Sequence, residues 1–301
     1  MKNFKLFSIA ILIIFATGCS KDDSTPNTFG NVTVNLTDAP MHYGQFKKAN
    51  VTIDKLEIGN STDPNSFIVM NNTPMKVNLM ELVNGVTHEM ASLDIPEGNY
   101  NMIKLYISST EMVMKNENSY EYNMELHGFT GNGMMQNGMM LNNDTHSIDI
   151  PLDHSLMVTN GSMDEYLLDI DVENSFIPNG VSFTGLGSNM MMSMTGFTFT
   201  PMMRFINMQE AGTFQGTVSG PNGNLADATI TLMQNDTIYT TTHTGMNGNY
   251  ALIGIPEGDY TLMVEMDGYI MNTAGNEVNM GVLHMMSNSK MIVDFSMILE
   301  N

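Results

Sequence analysis

Cysteine is all but missing from this chain: Cys19 is the single one. One thiol forms no internal disulfide, and it cannot build a Cys-ligated zinc site or an iron–sulfur cluster. Basic residues are scarce too, with 11 Lys and Arg against 32 Asp and Glu, for a formal net charge of −21 at pH 7. Such a surface repels nucleic acid and anionic membranes, so no nucleic-acid partner is expected. Tryptophan is absent, which counts against a sugar platform built of indole rings, while 10 Tyr and 14 Phe remain. Catalytic motifs are missing as well. The histidines His42, His88, His127, His146, His154, His243 and His284 are scattered. His88-Glu89 starts the zinc-protease pattern, but Ser92 stands where its second histidine belongs. No Gly-x-Ser-x-Gly elbow occurs. The expectation is a protein that is not an enzyme.

What is present begins at the N-terminus. Lys2 and Lys5 flank the start of the apolar run Leu6–Phe15, and Ala16-Thr17-Gly18 lead to Cys19. A positive start, about 7–15 apolar residues and a small-residue cleavage point make a secretory signal. The run falls short of the ~20 residues that span a bilayer. The pattern resembles a bacterial lipobox, which implies removal of residues 1–18 and lipidation of Cys19. Ser20 in the next position suits outer-membrane sorting. Lys21-Asp22-Asp23 resembles the export signal of surface lipoproteins in Bacteroidota. The implied location is the outer membrane, lipid-anchored and surface-exposed. The rest of segment 19–28 has nothing to pack into a core and is expected to be a disordered tether.

Beyond the tether the signal is β. Val32, Val34 and Leu36 alternate with polar residues, as do Ile103, Leu105 and Ile107. Period-two runs place one face inward and the other outward. In 49–58 the apolar set is Val51 and Ile53, then Leu56 and Ile58, so the parity changes near Asp54-Lys55 and predicts a bulge. Leu79 to Val83 suits one short turn of helix. From residue 212 a second β unit follows, with Ala228/Ile230/Leu232, Tyr260/Leu262/Val264 and Met291/Val293/Phe295/Met297 as strand faces. Turn signals at Pro221-Asn222-Gly223 and Asn247-Gly248 separate its strands. The fold class expected is all-β, two β-sandwich domains at 29–208 and 212–301, with a linker short enough that they touch. The two halves share a local echo. Ile95-Pro96-Glu97-Gly98-Asn99-Tyr100 is nearly identical to Ile255-Pro256-Glu257-Gly258-Asp259-Tyr260, and each leads into a strand.

Two resemblances carry family names. The second unit resembles the carboxypeptidase regulatory-like domain, through Gly216-Thr217-Val218, Gly223, Leu225, Ala228, Ile230, Thr244 to Tyr250, Ile255 to Tyr260 and Gly268-Tyr269. That implies a transthyretin-like sandwich, an accessory module grouped with carbohydrate-binding-like folds. The first unit resembles the family called domain of unknown function 4382. Its matching pieces are Val34 to Pro40, Val51 to Glu57, Leu79 to Gly85, Leu93 to Leu105, Leu168 to Asp171 and Phe199 to Arg204. That family implies no activity.

Two candidate sites remain. Asp169, Asp171 and Glu173 alternate as if along one strand, and with Asp149 and Asp153 they would offer hard oxygen ligands to Ca²⁺. A solvated outer face is the plainer reading. Methionine is abundant, with 33 residues. Some stand for Val or Ile in strand patterns, as Met102, Met263 and Met297 do. Others cluster in Gly- and Asn-rich segments: Met134, Met135, Met139 and Met140, then Met190, Met191, Met192 and Met194. Thioethers suit Cu(I), and His127 or His146 could complete such a site. Core filler, a reducible oxidant sink and compositional drift compete with that reading. The expected function is a non-enzymatic surface lipoprotein acting as a binding or adhesion module. Its partners would be the membrane through Cys19 and a glycan or surface protein. The alternative is a Met-rich envelope protein that binds Cu(I) or Ag(I) or scavenges oxidants.

Overall fold

The computed structural model describes residues 28–39, 46–124, 140–142, 146–184, 191–272 and 281–300. Among them the chain is almost wholly β, arranged as two sandwiches in sequence.

The first sandwich pairs two sheets. One has four strands in the order Met203–Asn207, Met163–Asp171, Phe29–Ala39, His88–Pro96. Phe29–Ala39 is parallel to Met163–Asp171 and antiparallel to His88–Pro96. The other sheet runs Asp63–Asn71, Phe46–Asn60, Gly98–Met114, Ser147–Val158, Met140–Asn142, with Met75–Asn78 and Ser119–Asn123 as added pieces. Alternation decides which face meets which. Val32, Val34 and Leu36 are fully buried, and Ile103, Leu105 and Ile107 face them from the other sheet in one core. Each such side chain contributes about 1.5–3 kcal/mol on leaving water. The bulge lies where the parity change places it: pairing of Phe46–Asn60 with Gly98–Met114 shifts register between Ile53 and Lys55. That shift brings Leu56 and Ile58 back to the core side, with Ile53. Leu79–Glu81 forms a single 3₁₀ turn with Leu79 buried.

The second sandwich stacks a sheet built on Ala211–Gly220, Asn249–Pro256 and Phe295–Leu299 against Thr237–His243, Thr229–Gln234, Gly258–Glu265 and Leu283–Met285. Ala228, Ile230, Leu232, Tyr260, Leu262 and Val264 meet in its core. The last apolar run is broken: Lys290–Ile292 and Phe295–Leu299 are separate strands, and Val293 packs between them. Of the three methionines read as replacements for Val or Ile, only Met297 is buried. Met102 is half-buried and Met263 is exposed. Both sit one position off the apolar series, on the outward side.

Candidate functional site

The site grows from the two strands Met163–Asp171 and Met203–Asn207. Their antiparallel register pairs Leu167 with Ile206, Leu168 with Phe205 and Asp169 with Arg204. Side chains alternate. Tyr166, Leu168, Ile170 and Met203 therefore join the core of the first sandwich, and Leu167, Asp169, Arg204 and Ile206 share the opposite face. That face meets the second sandwich. Leu167, Ile206 and Ala211 form a small apolar cluster with Met208 and Ile253. Gly254 is at φ +68°, and a Cβ there would lie 2.8 Å from Leu167 Cδ2 and 3.1 Å from Ile206 Cδ1. Only glycine allows both that conformation and that approach. Asn84, itself at φ 61°, reaches across from the first unit. Its Oδ1 accepts from the Ala251 N–H at 2.6 Å, and its Nδ2 donates to the Asn249 carbonyl at 3.3 Å.

Arg204 ties the seam electrostatically. Its guanidinium pairs with Asp169, lies 4.4 Å from the Tyr239 ring centroid and donates to the Tyr239 carbonyl at 3.4 Å. Burial opposes the charge, and Asp169 and Tyr239 more than offset that, so the Arg204 pKa stands above its ordinary value.

Beside this seam lies a cavity of about 710 Å³. The first sandwich supplies Ile150, Pro151, Leu152, Tyr166, Met203 and Phe205, and the second supplies Tyr239, Pro256, Glu257 and Ser287. Tyr166 and Phe205 stack at 4.9 Å with 15° between their planes. The rim is polar: His154 Nδ1 is 3.8 Å from Glu210, and Glu257 accepts from the Ser287 hydroxyl at 3.1 Å. Apolar and aromatic side chains share the lining with His154, Arg204, Asn207, Glu210, Glu257 and Ser287, and domain junctions are a usual place for a ligand site.

The carboxylate trio divides. Met163–Asp171 ends at Asp171, and Glu173 lies in the helical turn Val172–Ser175, so the three do not share a strand face. Asp171 caps that turn: Oδ1 accepts from the Asn174 N–H at 3.0 Å and Oδ2 from Asn174 Nδ2 at 2.7 Å. Asp169 is buried and paired with Arg204. Asp149 lies 3.7 Å from Lys104 in the other sheet. Among the described residues no three His, Cys, Asp or Glu side chains gather as a metal site would require. The methionine clusters are only partly in view. Cys19, His127, Met134, Met135, Met139 and Met190 lie outside the described residues, as does the side chain of Met191. Met192 and Met194 are core residues, 4% and 5% exposed, whereas Met140 is exposed on a different strand.

Sequence reasoning passed over Thr37-Asp38. Thr37 Oγ1 donates to the Leu82 carbonyl at 2.9 Å, and Asp38 Oδ1 accepts from the Val172 N–H at 3.1 Å. The pair stitches the 3₁₀ segment and the short helix to the strand Phe29–Ala39. Burial, then the charge of Asp169, push the Asp38 pKa well above the usual carboxylate range, while the Val172 N–H works the other way. The signal was an acid following the buried series Val34, Leu36 in the same parity.

An all-β chain of two docked sandwiches with a cleft at their junction is the class these features define. Residues 29–184 match the family model described as domain of unknown function (DUF4382), and the chain belongs to that family. Residues 213–282 match the carboxypeptidase regulatory-like domain. Neither model denotes a catalytic family. No curated protein matches the chain. Among solved structures, the chain is similar to the Bacillus anthracis TIE protein, at 10% identity and TM-score 0.25, over 93% of this chain and 42% of that one. It thus spans less than half of that protein. It is also similar to GBS52, the minor pilin of Streptococcus agalactiae, at 10% identity, TM-score 0.23 and 89% and 96% coverage. BcpA, the major pilin subunit of Bacillus cereus, aligns at 9% identity, TM-score 0.24 and 90% and 100% coverage. Likeness at such TM-scores carries no functional argument.

Proposed function

We propose that this protein is a non-enzymatic surface lipoprotein that binds a partner in the cleft between its two sandwiches. The cleft itself carries the reading: a cavity of about 710 Å³ with an aromatic wall and a polar rim, formed where two units are pinned by Asn84, Gly254 and Arg204. The N-terminal pattern Leu6 to Cys19 supports the anchor, and Lys21-Asp22-Asp23 supports display on the outer surface. Glycans and surface proteins are the partner classes for such a module. Among the described residues, Met192 and Met194 face the core and Met140 is exposed, so no observation there supports the Cu(I) or oxidant-scavenging alternative.

Two experiments test this. In cells, Cys19→Ala should release the protein from the membrane fraction, and protease treatment of intact cells should remove the wild-type chain. Survival of a lipidated chain through that treatment would contradict display. In solution, the full chain is screened against glycan and peptide panels beside Phe205→Ala in the cleft and Phe183→Ala on the exposed strand Ser182–Thr184. Binding should fall at least tenfold in the first variant and not in the second. Equal behaviour of both variants would remove the cleft from the account.

A further inference from the structure

The cavity wraps an open sheet edge. Met203–Asn207 pairs only with Met163–Asp171, so its other side ends the four-stranded sheet among the described residues. The Asp171 N–H to Met202 carbonyl bond and the Met208 N–H to Glu165 carbonyl bond, both 2.9 Å, fix the phase of that ladder. In an antiparallel pair alternate residues exchange both bonds with the partner. Arg204 and Ile206 are then the bonded positions, and the N–H and C=O of Met203 and Phe205 point away, toward the cavity side.

A second edge faces the same space and is blunted. Among the described residues, Ser147–Val158 pairs with Met140–Asn142 through Ser147–Asp149, and its later residues pair on one side, with Gly98–Met114. There Pro151 has no N–H, and residues 152–155 bulge opposite Asn101 alone. Proline and bulges are the devices that protect an edge from pairing. Met203–Asn207 has neither.

We infer that Met203–Asn207 is a docking edge, and that the cleft takes an extended peptide segment of a partner protein that adds as a fifth strand to this sheet. This rests on the cleft being the binding site. Main-chain hydrogen bonds supply affinity in such strand addition, and alternate side chains supply specificity. One face of the incoming strand would meet Ile150, Leu152 and Tyr166 and must be apolar. The other would lie toward Glu210 and Glu257. Arg204 is neutralised by Asp169, so the remaining rim charge is acidic, and the chain as a whole is at −21. The partner segment therefore alternates apolar with polar or basic residues.

The test is a selection of random phage-displayed peptides on the full chain, followed by synthesis of the selected peptides. Enrichment of alternating apolar and basic positions is expected. Methylating alternate backbone nitrogens of a selected peptide should weaken binding at least tenfold, because it removes strand donors and keeps the side chains. Glu210→Lys with Glu257→Lys should weaken a basic peptide severalfold. No enrichment over a control protein, selected peptides without alternation, or N-methylated peptides that bind as well would each overturn strand addition. If a neutral oligosaccharide binds instead, and Phe205→Ala abolishes it, the cleft remains the binding site and only the peptide assignment falls.

Discussion

The segments Ile95–Tyr100 and Ile255–Tyr260 are the same corner built twice. In each, a strand ends at proline and the next begins at glycine, and the two strands belong to opposite sheets of their sandwich. In each, the isoleucine is fully buried and the tyrosine hydroxyl donates to the proline carbonyl, Tyr100 to Pro96 at 2.8 Å and Tyr260 to Pro256 at 3.0 Å. What differs is the company. Glu97 bonds back to Thr28, just ahead of the strand Phe29–Ala39. Pro256 and Glu257 wall the cleft. Tyr260 sits in an aromatic cluster, 5.5 Å from Tyr239 and 6.2 Å from Phe214, and burial lifts its pKa to about 12. Nearly identical local chemistry thus makes a corner, and the surroundings make one of the corners part of a site.

The largest way to break this parity is at the ring. Tyr260→Ala should cost about 3–5 kcal/mol, as for other large aromatic truncations in cores. Tyr100→Ala, at a ring with no aromatic partner among the described residues, should cost less, and denaturant melts of both variants measure the gap. Next is Gly254→Ala. The added methyl overpacks the seam against Leu167 and Ile206 in a conformation strained for alanine, for a loss of about 1–3 kcal/mol. Hydrogen exchange should rise along the junction first. Smallest is the shared hydroxyl. Tyr100→Phe and Tyr260→Phe should each lose about 0.5–1.5 kcal/mol, the net worth of one hydrogen bond. Unequal losses would show that the corners are not equivalent even locally.

Titration separates two other groups within the first sandwich. The raised pKa of Asp38 means that its contribution is present in acid and is lost as pH rises through that value. Asp38→Asn keeps the acceptor for Val172 and should flatten this loss, gaining on wild type at neutral pH and not at acid pH. Glu111 has the opposite sign. Hydrogen bonds from Lys76, Ser119 and Asn50 hold it at about 2, so its contribution is full above the ordinary carboxylate range and disappears as pH falls toward 2. Glu111→Gln should be most damaging at neutral pH and least below pH 3. Urea melts across pH check both signs.

The fold was largely readable because alternation is local. Val32, Val34 and Leu36 announce their own face, and the parity change at Asp54-Lys55 announces its own bulge. Glu173 was misread because alternation says where a strand runs and not where it stops. The stop is the Asp171 side chain capping the Asn174 N–H, an Asx signal that fits the strand pattern equally well. The cleft was not readable, since it depends on which strands become neighbours. Phe205 and Ile150 are far apart in sequence, and nothing local to either says that a sheet edge ends there. Arg204 lay inside a family motif, but its partners Asp169 and Tyr239 come from two different sandwiches.

The most direct test of the central claim is amide hydrogen exchange on the full chain, free and saturated with a selected peptide. Slowed exchange at Met203 and Phe205, strongest at the Phe205 N–H, together with protection at Ile150, Leu152 and Glu257, is the expected result. Protection confined to surfaces away from the junction, with Phe205 exchanging as fast as in the free protein, would contradict it.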